Sequence, residues 1–311
     1  MDGLHDITIL DAADVARAAP YADLVDALYD GHQRPPAVCE RIVYGPDGAD
    51  ERFMALPAWQ PGASIGIKLA TIFPDNPEHG RPSVQALVLL FDGTDGSPLA
   101  LIDGTELTYR KTAADSALGA RMLARDDVRT LLMVGAGGLA PHLIAAHRAV
   151  RPSIDRVVVW NRTAAKARAL VDAGIADDVV DDLEAAARAA DIISTATMSR
   201  EPLVLGGWLR PGTHLDCVGA YLPELREVDD RAVLRSELFV DSRGAAIDEG
   251  GDIVGPMRAG LIDASHVRAD LYELCQGLHS GRTDDRAITL FENGGGGHLD
   301  LMTAQHVWAA R

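Results

Sequence analysis

Residues 130–163 constrain this chain most, because two short apolar runs lie on either side of a glycine turn and a helical pattern. In chain order, the first apolar run is Leu131–Val134 and the glycines are Gly135, Gly137 and Gly138. The helical pattern starts at Ala140, and the second apolar run is Val157–Trp160. Glycine lets the backbone turn tightly and approach a pyrophosphate, whose charge is stabilised by free N–H groups and the positive dipole end of the following helix. This order predicts a strand–turn–helix–strand unit that binds a dinucleotide.

Arg162, just after the second run, indicates which dinucleotide. The end of this strand meets the adenine ribose, where an acid would accept hydrogen bonds from a 2′-hydroxyl and an arginine would pair with a 2′-phosphate. We therefore expect NADP(H) in preference to NAD(H). Two alternatives stay open at this point: a similar turn occurs in methyltransferases that bind S-adenosylmethionine, and an ordinary strand–helix–strand unit would leave Arg162 on a solvated surface.

The composition is that of a globular protein with no polyanionic partner. The 311 residues suffice for two domains, and the net charge of −17 provides no basic field to attract nucleic acid or an anionic membrane. The N-terminal sequence lacks the pattern of a signal peptide, and no apolar run approaches the roughly 18 residues of a membrane span, so we expect a cytoplasmic protein. The three cysteines and ten histidines show no metal-ligand spacing, and no metal is expected.

The pattern along the chain predicts an α/β fold with two parts. Residues 37–102 consist of short β-branched segments with Pro and Gly between them, which predicts a mostly antiparallel sheet. A long helix is expected over residues 105–124, and strand and helix patterns alternate after it. That alternation predicts a Rossmann-type, doubly wound parallel sheet. Beyond it, Gly294–Gly297 is either a flexible hinge or a backbone that passes close to something else.

Cations within apolar strands need an explanation in so acidic a chain. Arg41 and Lys68 lie inside predicted strands, and Arg110 and Lys111 stand together in the long helix. If Arg41, Lys68 and Lys111 converge, they form a pocket for a small carboxylate, with Arg supplying forked hydrogen bonds and Lys a point charge. An outward-pointing cation or a structural ion pair is the alternative for each of them taken alone.

Seven stretches, in order along nearly the whole chain, resemble the ornithine cyclodeaminase and μ-crystallin family. They are GIKLATIFPDN, LLFDGTDGSPLALIDGTELT, RKTAADSALGARMLA, LMVGAGGLA, VVWNRT, DIISTATMSREPLV and PGTHLDCVGAYLPELREVD. The family also contains NAD(P)-dependent alanine dehydrogenases and ketimine reductases. The resemblance implies a smaller α+β substrate-binding and dimerisation domain at residues 1–125, rejoined by 292–311, and a Rossmann dinucleotide-binding domain at 126–291.

The resemblance also implies site residues. The substrate would be held by Arg41, Lys68 and an arginine of the helix-opening motif, and the protein would form a homodimer through the first domain. The positions implied for cofactor binding are Thr112, Gly135, Gly137, Gly138, Leu139, Ala140, Asn161, Arg162, Thr163, Thr195, Ala196, Thr197 and Val218.

Three positions depart from the family pattern. Lys111 stands where the family has its arginine, which keeps the charge but loses the planar fork, and Arg110 beside it is the alternative donor. Leu139 replaces a frequent glutamine of the glycine turn. Tyr221 replaces the aspartate with which a cyclodeaminase handles water and protons, and a phenol with a pKa of about 10 is a poor base near neutrality.

These residues together predict an enzyme: an NADP(H)-dependent oxidoreductase that transfers a hydride to or from the α-carbon of a small amino acid or its cyclic imine. Lys68 is the expected proton-handling residue, and Tyr221 is a second candidate. The alternatives are an ornithine cyclodeaminase that forms proline and ammonia, and a protein that binds NADPH and a small ligand without turnover.

Overall fold

The computed structural model describes residues 7–36 and 38–311, and these form two compact units. Unit 1 comprises the described residues up to Thr112 together with Gly296–Arg311, and unit 2 is Ala113–Gly295. The predicted boundaries, 125/126 and 291/292, therefore differ from the observed ones, the first because the helix Gly104–Leu123 belongs partly to each unit. Ala37, where the sequence predicts the first sheet to begin, lies outside the described residues.

Unit 1 contains a seven-stranded sheet that is antiparallel apart from one parallel edge pair. Among the described residues its strands are β1 (Thr8–Leu10), β2 (Val38–Cys39), β3 (Ile42–Tyr44), β4 (Arg52–Gln60), β5 (Ser64–Ile72), β6 (Val84–Asp92) and β7 (Pro98–Asp103). The order is β1-β7-β6-β5-β4-β2, with β3 also paired to β4, and β1 is parallel to β7. The mostly antiparallel sheet expected from the sequence is present.

The sequence pattern predicts one strand over residues 38–44, and Pro57 explains why the structure has two short strands there. β2 and β3 pair with β4 in one continuous register, in which Glu40 stands opposite Pro57. Proline has no N–H to donate to the ladder, so only the bond from Glu40 N to Pro57 O remains at this point, at 3.2 Å. The interruption lies next to Arg41.

The helices of unit 1 cover the sheet or lead out of it. They are α1 (Ala12–Ala18), α2 (Tyr21–His32), the first part of α3 (Gly104–Leu123) and the C-terminal helix (Gly297–Ala310). Asp11 begins α1 with a capping box, in which its side chain and that of Asp14 each accept the other's backbone N–H. The C-terminal helix packs so closely on β5 that a Cβ at Gly66 would lie 2.9 Å from the Leu301 side chain.

Unit 2 is built on an eight-stranded, wholly parallel sheet. Its described strands are β8 (Thr130–Val134), β9 (Arg156–Trp160), β10 (Asp178–Val179), β11 (Ile192–Thr195), β12 (His214–Cys217), β13 (Glu237–Val240), β14 (Val267–Asp270) and β15 (Thr289–Glu292). The order β10-β9-β8-β11-β12-β15-β13-β14 is that of a doubly wound sheet, in which ligands bind outside the carboxyl ends of the strands. The predicted fold class is confirmed.

The helices of unit 2 follow its strands. They are α4 (Ala140–Val150), α5 (Ala164–Asp172), α6 (Leu183–Ala189), α7 (Asp230–Arg235), α8 (Arg243–Glu249), α9 (Gly251–Arg258) and α10 (Leu271–Cys275). The sequence pattern near residues 249–259 predicts one helix, but α9 begins only at Gly251, because the extended backbone of Gly250 ends α8. The pattern near residues 269–278 also predicts a helix, which begins at Leu271, where Asp270 forms a capping box with Glu273.

None of the helices in the described part of the chain is long and apolar enough to cross a membrane.

Candidate functional site

The glycine turn of unit 2 follows β8 and has the geometry that glycine alone tolerates. Gly135 has a φ of 114°, and a Cβ there would lie 2.6 Å from the carbonyl oxygen of Ala196. Gly137 differs, because a Cβ added to it would meet nothing within 4 Å. Protein packing explains the first glycine but not the second, whose open surface is suited to the close approach of a ligand.

The N-terminus of α4 follows directly on that turn, and Ala140 N donates to Gly137 O at 3.1 Å. The N-cap, Leu139, has no oxygen in its side chain, and the first turn, which begins at Ala140, contains no acid. The positive end of the helix dipole therefore favours an anion at this position. The turn and the helix start therefore fit a dinucleotide pyrophosphate.

Asn161 ties the end of β9 to the glycine turn. Its Oδ1 accepts from the backbone N–H of Ala136 at 3.1 Å, and its Nδ2 donates to the carbonyl oxygen of Thr163 at 2.9 Å. Arg162 stands between these two anchored residues and is exposed. The structure thus brings the predicted nucleotide residues of the turn and of β9 together, and leaves the Arg162 guanidinium in solvent.

The loops after β11 and β12 lie against each other, and the loop after β11 also contacts the glycine turn. Ala196 N donates to Val134 O at 2.9 Å, and Val218 N donates to Thr195 O at 3.0 Å. A side chain at Gly219 is excluded, because its Cβ would lie 1.9 Å from the carbonyl oxygen of Thr197. The end of β11 and these loops contain four positions predicted for cofactor binding: Thr195, Ala196, Thr197 and Val218.

A buried acidic group lies at the same carboxyl edge of the sheet. Cys217, Asp252 and Glu292 each bring one potential ligand atom within 4.8 Å of the others. Burial first, and neighbouring carboxylates second, raise the pKa of Asp252 to about 7 and those of the Glu292 carboxyl and the Cys217 thiol well above their usual values. A metal would have to displace these protons, so the cluster is better suited to holding protons than a cation.

Unit 1 contains a buried ion pair between Lys68 and Asp300. Lys68, on β5, faces the C-terminal helix, and its Nζ donates to Asp300 Oδ1 at 3.0 Å and lies 3.0 Å from Oδ2. The two side chains are only 8% and 2% exposed. The pKa of Lys68 is lowered to about 8. Burial is the largest cause and the positive charges of Lys111 and Arg41 add to it, whereas the negative charge of Asp300 raises the pKa and offsets them only in part.

Arg41 and Lys111 both lie close enough to Lys68 to affect its pKa, so the structure brings together the three cations for which the sequence predicts a carboxylate pocket. The charges of Arg41 and Lys111 lower the pKa of Lys68, and the same two charges lower that of the buried His298. Lys111 is buried and Arg41 is half-buried. Three cations therefore share a region in which Asp300 supplies the opposing charge, and the positive excess is suited to an anionic ligand.

Arg110 is engaged elsewhere in unit 1. Its Nε donates to Glu106 Oε1 at 2.7 Å and a terminal nitrogen donates to Ala19 O at 2.9 Å, while the guanidinium lies 5.2 Å from the centre of the Tyr21 ring. These contacts make Arg110 a structural residue that holds α3 against the N-terminal helices. Lys111 is therefore the better counterpart of the family arginine. Thr112, next to it, is half-buried.

Two histidines and a cysteine adjoin the cations. His298, at the start of the C-terminal helix, has its Nδ1 4.0 Å from the Cys39 sulfur, and its ring lies edge-on to His32 with the centroids 5.8 Å apart. Burial lowers the pKa of His32 to about 4 and that of His298 well below its usual value. Both rings are neutral near pH 7, so the cations of this region are lysine and arginine.

The glycine run before the C-terminal helix makes a close approach at one position. A Cβ at Gly297 would lie 3.2 Å from the carbonyl oxygens of Leu56 and Pro57 on β4. Of the two explanations left open by the sequence, the close approach therefore applies to Gly297.

Tyr221, the second candidate for proton transfer, follows β12. Its hydroxyl lies 4.0 Å from the Met198 sulfur. Burial, and next to it the charge of Glu224, raise the pKa of the phenol, so even less of the basic phenolate form is present near neutrality than in a free tyrosine.

One acid of these regions was recognised in the sequence and another was not. Asp300 follows the glycine run and matches an acidic position in the last motif of the family that the chain resembles, which favours helix capping or loop anchoring as the first interpretation and an active-site role as the second. Glu227, which accepts hydrogen bonds from both loops after β11 and β12, was not identified. The sequence showed it only as a charged residue within a stretch that resembles the family.

The chain is similar in sequence to known proteins along nearly its whole length. A model of the ornithine cyclodeaminase/mu-crystallin family matches residues 9–310. A Delta(1)-pyrroline-2-carboxylate reductase of Paracoccus denitrificans is 43% identical over 302 residues, which are 96% of this chain and 95% of that protein. The Arabidopsis thaliana protein SAR DEFICIENT 4 is 42% identical over 265 residues, 82% of this chain and 81% of that protein.

Solved structures are similar over the same extent. Delta(1)-pyrroline-2-carboxylate reductase of Thermococcus litoralis, in complex with NADH and L-proline, superposes with a TM-score of 0.91 at 30% identity, covering 98% of this chain and 97% of that one. An archaeal alanine dehydrogenase dimer with bound NAD gives a TM-score of 0.89 at 28% identity, covering 98% and 95%.

Proposed function

Because the chain belongs to the ornithine cyclodeaminase/mu-crystallin family, we propose that it reduces the cyclic imine Delta(1)-pyrroline-2-carboxylate to L-proline with a nicotinamide dinucleotide. It is an enzyme of the imine-reducing branch of this family, as the sequence predicts. The reaction consumes the imine, one proton and the reduced dinucleotide, and yields proline and the oxidised dinucleotide. The observation that carries the proposal is the buried Lys68–Asp300 pair beside two further cations.

The substrate carboxylate is held by Arg41 and Lys111. A small carboxylate pairs with an arginine fork and a lysine point charge, and both residues already act electrostatically on Lys68. Binding of the anion compensates the positive excess of this region. Neutral imines without a carboxylate should therefore be poor substrates.

Lys68 supplies the proton. With a pKa of about 8, its ammonium is the main form near neutrality, and the amine is accessible at slightly higher pH. Its Nζ donates a hydrogen bond to the imine nitrogen, which makes the adjacent carbon more electrophilic, and transfers the proton as the amine forms. The reduced nicotinamide, when bound, supplies the hydride.

Lys68→Met tests this assignment. We expect a loss of turnover of about 10²- to 10⁴-fold, the usual contribution of a general acid, with the dissociation constant of the dinucleotide unchanged. Turnover follows from the decrease in reduced-nicotinamide absorbance with Delta(1)-pyrroline-2-carboxylate, and binding from nicotinamide fluorescence. Undiminished turnover in the variant would remove Lys68 from the chemistry, and absence of proline formation by the unmodified protein would reject the function.

We also propose that the protein binds NADP(H) in preference to NAD(H). This preference rests on Arg162, which is exposed after β9 between two residues anchored to the turn, where a 2′-phosphate would be paired. Arg162→Ser should weaken NADPH binding by about 10- to 100-fold, the value of a charge-assisted hydrogen bond, and change NADH binding little. Arg156→Ser, an exposed arginine at the opposite end of the same strand, is the matched control. Equal losses for both coenzymes would contradict the assignment.

The homodimer is proposed from an exposed apolar surface on unit 1. Tyr44 and Phe53 stack across β3 and β4 with ring centroids 6.4 Å apart, and Phe73 beyond them is also exposed. Such a patch is typical of a protein–protein contact, and an archaeal relative is a dimer. Phe53→Glu should convert a dimer to a monomer in light scattering, whereas Leu234→Glu, an exposed position of unit 2, should not. A monomeric unmodified protein would refute the proposal.

A further inference from the structure

We infer that Glu227 is a positioning residue of the nucleotide site, whose carboxylate joins the loop after β11 to the loop after β12. The inference rests on the proposed function, because the dinucleotide gives these loops their importance. Glu227 is fully buried in unit 2. It lies after the strands whose ends it connects, in the stretch LREVD.

The carboxylate accepts hydrogen bonds from both loops with both oxygens. Oε1 accepts from the backbone N–H and the hydroxyl of Thr197, at 2.6 and 2.8 Å. Oε2 accepts from the hydroxyl of Thr195 at 2.8 Å, and from the N–H groups of Val218 and Gly219 at 3.2 and 2.6 Å. One side chain thus holds two consecutive segments of the carboxyl edge of the sheet.

The bonding pattern requires the ionised form. Both oxygens accept from backbone N–H groups, which can only donate. A proton on either oxygen would point at another donor, and a hydrogen bond would be lost. Burial raises the pKa of Glu227, while the hydrogen bonds from Thr195, Gly219 and Thr197 lower it. Five donors to one carboxylate compensate its desolvation, as is usual for a buried charge that persists.

The segment after β11 is in contact with the glycine turn, and the segment after β12 is in contact with the segment after β11. A Cβ on Gly135 would lie 2.6 Å from the carbonyl oxygen of Ala196, and a Cβ on Gly219 would lie 1.9 Å from that of Thr197. A displacement of the first segment therefore reaches the turn directly, and a displacement of the second reaches it through the first. Glu227 acts on the dinucleotide through these backbones rather than by touching it.

Asp252 holds the backbone of Glu227 in place. Its Oδ1 accepts from the N–H groups of Glu227 and Val228, at 3.0 and 3.1 Å, and it is fully buried at the start of α9. The backbone that presents the Glu227 side chain is thereby bonded on its other side. The glutamate has little freedom to follow a loop that moves, and this rigidity suits it to hold a binding site.

The experiment compares Glu227→Gln and Glu227→Asp with Asp191→Asn. Gln has the size of Glu but turns an NH₂ group toward the donors, and Asp keeps the charge but is one methylene too short to reach both loops. Asp191 is the matched control, because its buried carboxylate also accepts two backbone N–H bonds in unit 2, from Arg129 and Thr130 at the opposite end of the strands.

Two readouts are needed. Hydrogen exchange without dinucleotide should show faster exchange of the amides of Thr197, Val218 and Gly219 in both Glu227 variants. Fluorescence titration should show the NADPH dissociation constant raised by at least about tenfold in both, the cost of losing one or more hydrogen bonds to a charged group. Asp191→Asn should lower the thermal midpoint and leave the dissociation constant within about twofold.

The outcomes separate this inference from the proposed function. Unchanged amide exchange or unchanged NADPH affinity in the Glu227 variants overturns the positioning role, as does an Asp191→Asn variant that loses affinity equally. If the unmodified protein binds no dinucleotide, the proposed function fails and the positioning role with it, whatever the exchange rates. Should Glu227→Gln not fold, Glu227→Asp decides the matter by the same two readouts.

Discussion

Asp300→Asn tests the central electrostatic argument, that a carboxylate keeps the buried Lys68 protonated near neutrality. Asn has the size of Asp and can still accept from Lys68 Nζ, so the substitution removes charge with little change in shape. The Lys68 pKa is lowered by burial and raised by Asp300, and the balance is a value of about 8. Without the carboxylate, burial and the neighbouring cations still lower the Lys68 pKa, and only a neutral hydrogen bond from Lys68 Nζ to the amide oxygen opposes them.

The distance sets the size of the effect. Two unit charges about 3 Å apart interact by roughly 5 kcal/mol at an effective dielectric constant of about 20, which is an upper limit. Measured effects of one opposite charge at close range are about 1–3 pKa units, or roughly 1.4–4 kcal/mol. We therefore expect the Lys68 pKa to fall from about 8 by about 1–3 units.

The assay is the pH dependence of kcat in both directions. Imine reduction needs Lys68 with its proton, so its rate falls as the pH rises through the Lys68 pKa, and proline oxidation needs the amine, so its rate rises. In Asp300→Asn both transitions move to lower pH. For a shift of about two units the protonated fraction near neutrality, and with it the reduction rate, falls about tenfold. Titration of the substrate itself is common to both proteins and cancels.

Glu106→Gln is the control. It removes another ion pair of unit 1, with Arg110 at 2.7 Å, and should leave the transition where it is in the unmodified protein. Circular dichroism must show that both variants are folded. If the transition in Asp300→Asn coincides with that of the unmodified protein, either Lys68 is not the titrating group or Asp300 does not stabilise its charge, and the mechanism is wrong.

Five further substitutions test four separate features of the protein. Lys111→Met should raise KM for the imine by more than about tenfold, the loss of one charged contact, whereas Arg110→Met should lower the thermal midpoint and change KM little, as steady-state kinetics and calorimetry will show. Gly137→Val should leave the thermal midpoint intact, because its Cβ meets nothing within 4 Å, but raise the NADPH dissociation constant by more than about tenfold; equal affinity would mean that no phosphate approaches this glycine. Asp252 has a pKa of about 7 in the folded protein against an ordinary value of 3.8, so the folded protein binds the extra proton and its stability falls as the pH rises between these values. Urea unfolding of Asp252→Asn should show a smaller fall over that range, and an identical pH dependence would refute the assignment. Tyr221→Phe should keep turnover within about tenfold, because a phenol whose pKa is raised contributes little proton transfer near neutrality, and a larger loss of kcat would restore Tyr221 as a catalytic residue.

The Rossmann part of the fold was predictable because its signals are local. The glycine turn, the strands on either side and Asn161–Thr163 lie within one strand–helix–strand unit, and each has a backbone requirement that a sequence expresses directly. The predicted family is confirmed by a match over residues 9–310. Short elements such as β14 were not predicted, because its four residues carry too little periodicity to be separated from the helix that follows.

The pairs that give the site its chemistry could not be predicted in the same way. Lys68 and Asp300 are 232 residues apart, and nothing in either neighbourhood specifies the other. The same holds for Glu227, whose partners Thr195 and Thr197 are about 30 residues earlier. Residue type indicated that Lys68 was unusual in an apolar strand, but only the fold shows which acid compensates it.

The position of Asp300 has a consequence for how the chain must fold to acquire activity. A lysine buried among other cations without a carboxylate would release its proton, because desolvation and like charges both favour the neutral amine. The carboxylate that prevents this is on the C-terminal helix, which packs on β5 only when the last segment of the chain has returned to unit 1. The same helix brings Asp300 to Lys68 and packs on the strand that carries Lys68, so the buried, charge-paired lysine exists only after this helix has packed on the sheet. The ability to protonate an imine depends on the final helix, and a chain that lacks this helix should still bind a dinucleotide through unit 2.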